Sequence, residues 1–297
     1  MLADPATQQT RPDGGRLVPG LLLLGGAEGG MHEDDAALLA AHGYAALALA
    51  YYGLPGLPAT LQNIALEYFE AALTFLQRHP HVRGDRFAVM GASKGGEAAL
   101  LVAATFPQVG AAVSVVGSGV ITQGASQDVL TGSFLDILNT PAANWTYRGN
   151  PLPFLPFVVT PEMEHLVASG KPVALRMAFQ PALQRTDLLP RATIPVERVR
   201  GGVLLISATD DQGYGAAFHD IAAQRLATHK HRYAWRHIVH HGAGHNIAAP
   251  PYAPTTQSLS AGPGVTFRAG GTSAADARAR AQTWQTTLQF LADQLDA

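Results

Sequence analysis

Short apolar runs alternate with amphipathic stretches along most of the chain. Runs of five to eight mainly apolar residues, bounded by glycine, proline or polar residues, predict strands buried on both faces. Stretches whose apolar residues lie near one helical face predict helices, as Ile64, Phe69, Leu73 and Leu76 do. The predicted strands are 17–24, 44–51, 86–90, 111–116, 202–207 and 233–239, and the predicted helices are 34–42, 61–78, 97–105, 214–229 and 274–295. This alternation predicts an α/β fold, with a mostly parallel central sheet and helices on both faces.

Two segments do not follow the alternation. Residues 1–16 are polar and contain proline and glycine, which predicts a flexible N-terminal lead and no signal peptide. Residues 122–195 contain nine prolines and no regular pattern. Because a long irregular insert in a compact domain is usually functional, we predict a cap or lid here. The alternative is a surface excursion with no role in catalysis. The predicted organisation is one domain over 17–297 that carries this insertion.

Composition excludes several classes of protein. The 297 residues are 47% hydrophobic and 14% charged, which is typical of a globular domain. The formal net charge of -2 leaves no basic excess to neutralise phosphates, so no nucleic-acid partner is expected. The absence of cysteine excludes disulfides, thiolate metal sites and cysteine nucleophiles. The apolar run 21–24 is too short to span a bilayer, so we expect a cytoplasmic protein without a membrane span.

The clearest chemical motif is Gly-Ala-Ser-Lys-Gly at 91–95, which matches G-x-S-x-G and lies between a predicted strand and a predicted helix. A serine on such a sharp turn has strained backbone angles, and Gly91 and Gly95 avoid clashes across the turn. The helix N-terminus that follows supplies a positive dipole and free N–H groups. This context predicts the nucleophile elbow of an α/β hydrolase, with Ser93 as the nucleophile.

A serine nucleophile needs a base, and the base needs an orienting carboxylate. In α/β hydrolases these follow the serine in the order acid, then histidine. Asp210 and Asp211 follow one predicted strand, and His245 follows the next, at the sheet edge where open α/β sheets bind ligands. Small residues before His245 favour it as the base, whereas the residues alone leave Asp210 and Asp211 open. The other histidines nearby are His237, His240 and His241.

An oxyanion hole requires two N–H donors. One is expected from Lys94, the residue after the nucleophile, and the other from the glycine-rich loop 25–30. In that loop Gly26, Ala27 and Glu28 are the candidates. The alternative interpretation of the loop is a flexible turn without this role.

Three other kinds of site fail on spacing. A P-loop is excluded because Lys94 follows the serine and no G-x-x-x-x-G-K precedes it. The loop 25–30 does not fit the dinucleotide pattern G-x-G-x-x-G. His241 and His245 have helical zinc spacing, but Gly242 and Gly244 disfavour a helix there. We therefore expect no metal and no cofactor.

With these motifs the sequence resembles the C-terminal catalytic domain of the acyl-CoA thioesterase / bile acid-CoA:amino acid N-acyltransferase family. The most specific feature is the Gly-Ala-Gly-His loop followed by Pro250-Pro251-Tyr252. Four segments carry the resemblance: 19–52, 91–96, 210–211 with the helix that ends near 225–227, and 242–247 with 250–252 and the closing helix that contains Trp284.

The resemblance implies a triad of serine or cysteine, aspartate and histidine, which maps to Ser93, Asp211 and His245. The family's spacing between acid and histidine favours Asp211, which precedes His245 by 34 residues. Family members that conjugate bile acids use cysteine as nucleophile. Serine therefore implies hydrolysis of a small-molecule acyl thioester through an acyl-enzyme, in fatty acid metabolism and without a cofactor.

Two features differ from the family's usual pattern, and both concern substrate recognition. Family members usually carry an N-terminal β-sandwich domain, whereas a short segment precedes the first strand here. The segment between Ser93 and Asp211 is also longer and richer in proline. One alternative is therefore a carboxylesterase, dienelactone-hydrolase-like or peptidase activity on a non-CoA substrate. Another is a non-catalytic α/β-hydrolase protein that binds a ligand.

Overall fold

The computed structural model describes residues 17–129, 131–248, 250–251, 253, 255, 258–260 and 263–295. The predicted lead, 1–16, and Tyr252 lie outside the described residues. The strands are β1 (Val18–Leu24), β2 (Ala45–Leu49), β3 (Ile64–Ala65), β4 (Val82–Ala92), β5 (Val109–Val115), β6 (Trp145–Tyr147), β7 (Asn150–Pro151), β8 (Gly202–Ala208), β9 (Trp235–His240), β10 (Ser258–Ser260) and β11 (Thr266–Arg268). The helices are α1 (Glu33–Ala41), α2 (Leu66–Arg78), α3 (Lys94–Thr105), α4 (Phe134–Asn139), α5 (Pro161–Ala168), α6 (Arg176–Ala182), α7 (Leu189–Ala192), α8 (Ala217–Thr228) and α9 (Ser273–Leu295), with one 3₁₀ turn at Val196–Arg198.

Six strands form a parallel sheet in the order β2-β1-β4-β5-β8-β9. Successive side chains of β1 enter two different cores. Leu22 belongs to the core that also contains residues of α2, α3 and α8, whereas Leu21 belongs to the core that contains residues of α1 and α9. Because strand side chains alternate between faces, helices cover both faces of the sheet. The predicted α/β architecture is confirmed.

The predicted helix over 61–78 is wrong in its first turn. Asn63 has a positive φ of 53°, and the Ile64 N–H donates to the Asn144 carbonyl at 2.9 Å. Residues 64–65 are therefore extended and pair with β6, and α2 begins at Leu66. The apolar spacing could not separate this short strand from the helix because the pairing partner lies 81 residues further along the chain.

The predicted lack of regular structure in 122–195 is also wrong. In its described residues this segment contains two short strands, β6 and β7, and four helices, α4 to α7. Several of its prolines begin elements instead of ending them. Pro161 opens α5, where Thr160 accepts a hydrogen bond from the Met163 N–H at 3.3 Å. Proline fits the first turn of a helix because the N–H groups there have no helical partner.

The segment 250–271, where the sequence pattern predicts neither a strand nor a helix, contains the antiparallel hairpin of β10 and β11. Phe267 of β11 is buried and forms an isolated parallel bridge with Val173 of the insert. The hairpin thus links the insert to the loop that carries His245, whose N–H donates to the Ala269 carbonyl at 2.8 Å. Among the residues that the structure describes, no helix has the length and apolar character that crossing a membrane requires.

Candidate active site

Ser93 lies between β4 and α3 with φ of 52° and ψ of -120°. A side-chain-bearing residue at positive φ is strained, so surrounding contacts have to hold it there. The Ser93 N–H donates to the Val115 carbonyl at 2.9 Å, and the Ser93 carbonyl accepts the N–H groups of Gly96 and Glu97. The elbow is therefore anchored to β5 on one side and to α3 on the other.

Close backbone packing around the elbow requires glycine at two positions. A Cβ at Gly91 would lie 2.4 Å from the Gly95 carbonyl oxygen. A Cβ at Gly95 would lie 2.4 Å from the carbonyl oxygens of both Leu24 and Gly25. The end of β1 thus lies directly against the first turn of α3, which brings the loop 25–30 beside Ser93.

Ser93 and His245 are in hydrogen-bond contact, and His245 contacts Asp211 in turn. His245 Nε2 lies 2.9 Å from Ser93 Oγ, and His245 Nδ1 lies 2.7 Å from Asp211 Oδ1. The imidazole packs closely against Gly213, where a Cβ would lie 2.3 Å from Nδ1. Phe267 meets the ring edge-on, with 5.8 Å between centroids. These contacts orient the imidazole with one nitrogen toward the serine and the other toward the carboxylate.

Asp211 is buried and held by backbone N–H groups. Gly213 donates to Oδ1 at 2.7 Å and Gly215 donates to Oδ2 at 3.1 Å. Burial lowers the pKa of His245, but the charge and the hydrogen bond of Asp211 outweigh burial, so the pKa lies above its ordinary value of 6.5. The carboxylate therefore stabilises the imidazolium that forms when the histidine accepts a proton.

Asp210, next to Asp211 in the chain, has different partners. Gln212 Nε2 donates to Asp210 Oδ1 at 2.6 Å, and the Gly271 N–H donates to Oδ2 at 2.8 Å.

The sequence reasoning missed Asp276, a fully buried residue near the start of α9. Its Oδ1 accepts the Gly244 N–H at 2.8 Å, one residue before His245. An acidic residue in a first helical turn is common, so nothing in the sequence marked its contact with the histidine loop.

The remaining histidines of β9 and the loop after it lie elsewhere. His237 Nε2 is 2.8 Å from Ser207 Oγ, and His240 Nε2 is 3.1 Å from Thr283 Oγ1. His241 is exposed. Within the described ranges, no three histidine, aspartate or glutamate side chains are grouped so that they could hold a metal ion.

Two of the predicted oxyanion donors make no hydrogen bond to another described residue. In the described part of the chain, neither the Ala27 N–H nor the Lys94 N–H donates a hydrogen bond to a protein acceptor. The Ala27 peptide is held from its other side, where Tyr52 OH donates to the Ala27 carbonyl. The Gly26 N–H, by contrast, donates to the Glu28 carboxylate at 2.8 Å. The Glu28 N–H, the third predicted donor, lies against the carboxylate of its own side chain. Within the described residues, the candidate N–H groups without a hydrogen bond are therefore those of Ala27 and Lys94.

A charged cluster that the sequence reasoning missed lies beside this loop. His32 Nε2 is 3.2 Å from Glu28 Oε1, and His32 Nδ1 is 3.7 Å from Asp35 Oδ2. The adjacent carboxylates of Asp35 and Glu28 raise the pKa of His32 to about 10. Burial raises the pKa of Glu28, but the adjacent His32 and the N–H groups of Glu28 and Gly26 bring it below its ordinary value. His32 is therefore a cation between two carboxylates at neutral pH.

Ser93 and His245 line a cavity of about 570 Å³. Its other walls are largely apolar and come in good part from the insert 122–195. The apolar insert residues in these walls include Val129, Phe134, Ile137, Leu138, Phe157 and Phe179. The cavity thus offers a reacting polar edge and an apolar interior, the usual composition of a small-molecule site.

The chain matches the family model described as "BAAT / Acyl-CoA thioester hydrolase C terminal" over residues 64–297. It is 34% identical over 244 residues to acyl-coenzyme A amino acid N-acyltransferase 1 of Mus musculus, covering 82% of this chain and 51% of the relative. It is 32% identical over 274 residues to mitochondrial acyl-coenzyme A thioesterase 2 of Homo sapiens, covering 92% of this chain and 51% of the relative. The chain spans between 51% and 60% of the length of such relatives.

Two solved structures share the fold. A puromycin-hydrolyzing peptidase of Mycobacterium tuberculosis has a TM-score of 0.56 and 15% identity, covering 95% of this chain and 35% of that chain. A dienelactone hydrolase-like promiscuous phosphotriesterase from metagenomic libraries has a TM-score of 0.52 and 17% identity, covering 95% and 89%. The predicted α/β-hydrolase fold and the resemblance drawn from the motifs are both confirmed. The chain belongs to the BAAT / acyl-CoA thioester hydrolase C-terminal family.

Proposed function

We propose that this protein is a serine hydrolase that cleaves an acyl thioester through an acyl-enzyme intermediate. The observation that carries the proposal is the unbroken row of hydrogen bonds from Asp211 through His245 to Ser93, at the edge of an apolar cavity. The names of curated relatives, which include acyl-coenzyme A thioesterases, support a thioester substrate. The serine supports hydrolysis over conjugation, because the family's bile acid-conjugating members use cysteine.

In the first half of the reaction, Ser93 Oγ attacks the thioester carbonyl carbon and His245 Nε2 accepts the serine proton. Asp211 stabilises the imidazolium, and the N–H groups of Lys94 and Ala27 stabilise the oxyanion. The carbon–sulfur bond breaks, and His245 returns the proton to the leaving thiolate. In the second half, His245 takes a proton from water and the hydroxide attacks the acyl-serine carbonyl carbon. The bond from that carbon to Ser93 Oγ then breaks, His245 returns the proton to Ser93 Oγ, and the free acid leaves.

The apolar walls support an acyl chain as the part of the substrate that enters the cavity. Phe134, Ile137 and Phe157 belong to the insert and line this space. We therefore propose that 122–195 acts as the cap of the site, and that its walls select the acyl group. Burial of each additional methylene contributes about 0.8 kcal/mol, so chain length should appear in KM until the cavity is full.

A second candidate is a carboxylesterase that acts on a substrate with an uncharged leaving group. The charged side chains around the cavity are Glu28, His32, Asp35 and Lys94. His32 lies between two carboxylates and the Lys94 ammonium is bound to Glu97, so within the described residues no lining cation is left to neutralise phosphates. A polyanionic leaving group would have to extend outside this cavity.

The test compares acyl-CoA thioesters with p-nitrophenyl esters of the same chain lengths. We expect wild-type protein to prefer the thioesters, and Ser93→Ala to abolish turnover of both series. Ser169→Ala, which removes an exposed serine hydroxyl outside the cavity, is the matched control and should keep wild-type rates. Mass spectrometry of a quenched reaction should find the acyl group on Ser93. Preference for the esters would favour the second candidate, and full activity of Ser93→Ala would exclude both.

A further inference from the structure

Lys94 and Glu97 form an ion pair that is buried in the first turn of the nucleophile helix. The side chains are 4% and 0% exposed, and Lys94 Nζ lies 3.0 Å and 3.1 Å from the two carboxylate oxygens of Glu97. Burial lowers the pKa of Lys94 below its ordinary value, and the charge of Glu97 and its hydrogen bond oppose that shift. Removing two charges from water is unfavourable, and the attraction within a buried pair often does no more than offset that penalty, so stability alone does not explain this pair.

Both members of the pair are saturated with partners from outside α3. Lys94 Nζ donates to Thr122 Oγ1 at 2.7 Å, to the Thr122 carbonyl at 3.0 Å and to the Gln123 carbonyl at 3.3 Å. Glu97 accepts Trp145 Nε1 at 2.8 Å, Thr122 Oγ1 at 2.8 Å, the Thr122 N–H at 3.2 Å and Tyr214 OH at 3.1 Å. The pair therefore joins the nucleophile helix to two segments of the insert and to the chain just after Asp211.

From Thr122 the contacts continue into the cavity wall. Gln123 is buried, and its Nε2 donates to the carbonyls of Ile137 and Leu138 at 3.0 Å and 3.2 Å. Its Oε1 accepts the Phe157 N–H at 2.8 Å. Residues 137, 138 and 157 all line the cavity. A continuous hydrogen-bonded path thus runs from the residue after the nucleophile to the walls of the insert.

We propose that the Lys94–Glu97 pair is a positioning device that holds the Lys94 N–H, a donor of the oxyanion hole, and the wall of the insert in one fixed arrangement around Ser93. The proposal rests on the proposed function, since it assigns an oxyanion role to the Lys94 peptide. In the proposed mechanism the Lys94 N–H stabilises the oxyanion, while the Lys94 ammonium anchors the same residue to Thr122 and Gln123. Glu97 is a positioning residue, because it acts through Lys94 and Thr122.

The experiment measures Ser93 labelling by a fluorophosphonate, whose phosphoryl oxygen occupies the oxyanion hole, together with kcat, KM and thermal midpoint. The variants are Glu97→Gln, Lys94→Met and the double variant of both. Loss of one oxyanion donor costs about 10²–10³ in rate, and a displaced donor costs less. We expect the labelling rate and kcat to fall by about 10- to 100-fold in all three variants, with KM for a short acyl substrate within about threefold of wild type.

The double variant separates positioning from stability. Each single variant leaves a buried charge unpaired and should lower the thermal midpoint, whereas the double variant has no such charge and should recover much of it. The labelling rate should stay low in the double variant. If labelling and kcat recover in step with the thermal midpoint, the pair is only structural and the proposal is wrong. If the single variants do not fold, Thr122→Val tests the same proposal. It removes only the hydroxyl that contacts both Lys94 and Glu97, and it should slow labelling several-fold.

The matched control is Glu197→Gln, which removes the carboxylate of another ion pair. Glu197 Oε1 accepts Arg225 Nη2 at 2.7 Å, and neither residue lines the cavity. The labelling rate of Glu197→Gln should equal that of the wild-type protein. Labelling also separates the proposed function from the proposed role of the Lys94–Glu97 pair. If the wild-type protein is labelled at Ser93 but cleaves no thioester, the proposed substrate is wrong. The labelling rates of the variants still test the role of the pair in that case. An unchanged labelling rate in Glu97→Gln would contradict the positioning role alone.

Discussion

Asp211 Oδ1 lies 2.7 Å from His245 Nδ1, whereas the carboxylate of the adjacent residue, Asp210, accepts hydrogen bonds from Gln212 and Gly271. Two neighbouring aspartates thus hold different parts of the molecule. Asp211 orients the imidazole, and Asp210 ties the turn after β8 to the chain just before α9.

This difference predicts opposite phenotypes for two isosteric changes. Asp211→Asn removes the charge that stabilises the imidazolium and favours the wrong tautomer, so kcat should fall by about 10⁴-fold with little change in KM. Asp210→Asn should lower kcat by less than about tenfold, and its main effect should be a lower thermal midpoint. Steady-state kinetics and thermal unfolding of both variants decide the matter. Equal losses of kcat would mean that the two carboxylates share the role.

The pKa of His245 predicts the acidic limb of the pH–rate profile. Activity requires neutral His245, and Asp211 raises its pKa above 6.5 despite burial. The rate should therefore be half-maximal at a pH above 6.5 and fall as the pH decreases below that point. In Asp211→Asn the residual activity should have its limb at lower pH. A limb that stays in place in Asp211→Asn would assign the titration to another group.

The Glu28–His32–Asp35 cluster predicts a histidine that stays protonated. The adjacent carboxylates of Asp35 and Glu28 raise the pKa of His32 to about 10, so its imidazole signal in NMR should not shift between pH 5 and 8. In Glu28→Gln, and more strongly in Asp35→Asn, the pKa should move toward 6.5 and the titration should enter this window. His32→Gln identifies the signal among the 12 histidines. A wild-type His32 that titrates near pH 6.5 would contradict the cluster.

Buried His219 predicts acid sensitivity of the fold. Its ring nitrogens lie 2.8 Å from Ser114 Oγ and 2.9 Å from Ser207 Oγ, and burial, with the charge of His237, lowers its pKa to about 3. In the unfolded chain, the His219 imidazole binds a proton below about pH 6.5, whereas in the folded chain it stays neutral until about pH 3. The folded state therefore loses stability as the pH falls from 6.5 toward 3. The contribution of this residue is about 1.4 kcal/mol per pH unit in that range.

Urea unfolding at a series of pH values measures this slope. His219→Gln should be less stable at pH 7 but should lose less stability between pH 6.5 and pH 4 than wild type. His229→Gln, at the exposed C-terminal end of α8, is the control and should keep the wild-type slope. A His219→Gln variant with an unchanged slope would show that other groups govern the acid sensitivity.

Local patterns were enough to predict most of the alternation of strands and helices and the sharp turn that carries Ser93. These features depend on residues close in the chain: apolar periodicity, and the small neighbours that the turn at Ser93 requires. The same local signals failed where pairing is distant. Residues 64–65 join β6, and Thr266–Arg268 pairs with Ser258–Ser260, although both stretches lacked a clear strand pattern.

Tertiary structure alone decided which groups meet. From the residues, Asp210 and Asp211 were equivalent, and only the family's spacing favoured Asp211; the fold brings it to His245 because the two loops end neighbouring parallel strands. Three other features left no signal in the sequence. They are the burial of Lys94 and Glu97, the charged cluster around His32, and the hydrogen bond from the Gly244 N–H to Asp276. Sequence periodicity reports which face of an element is apolar, whereas the partner of a buried charge is set by contacts between segments far apart in the chain.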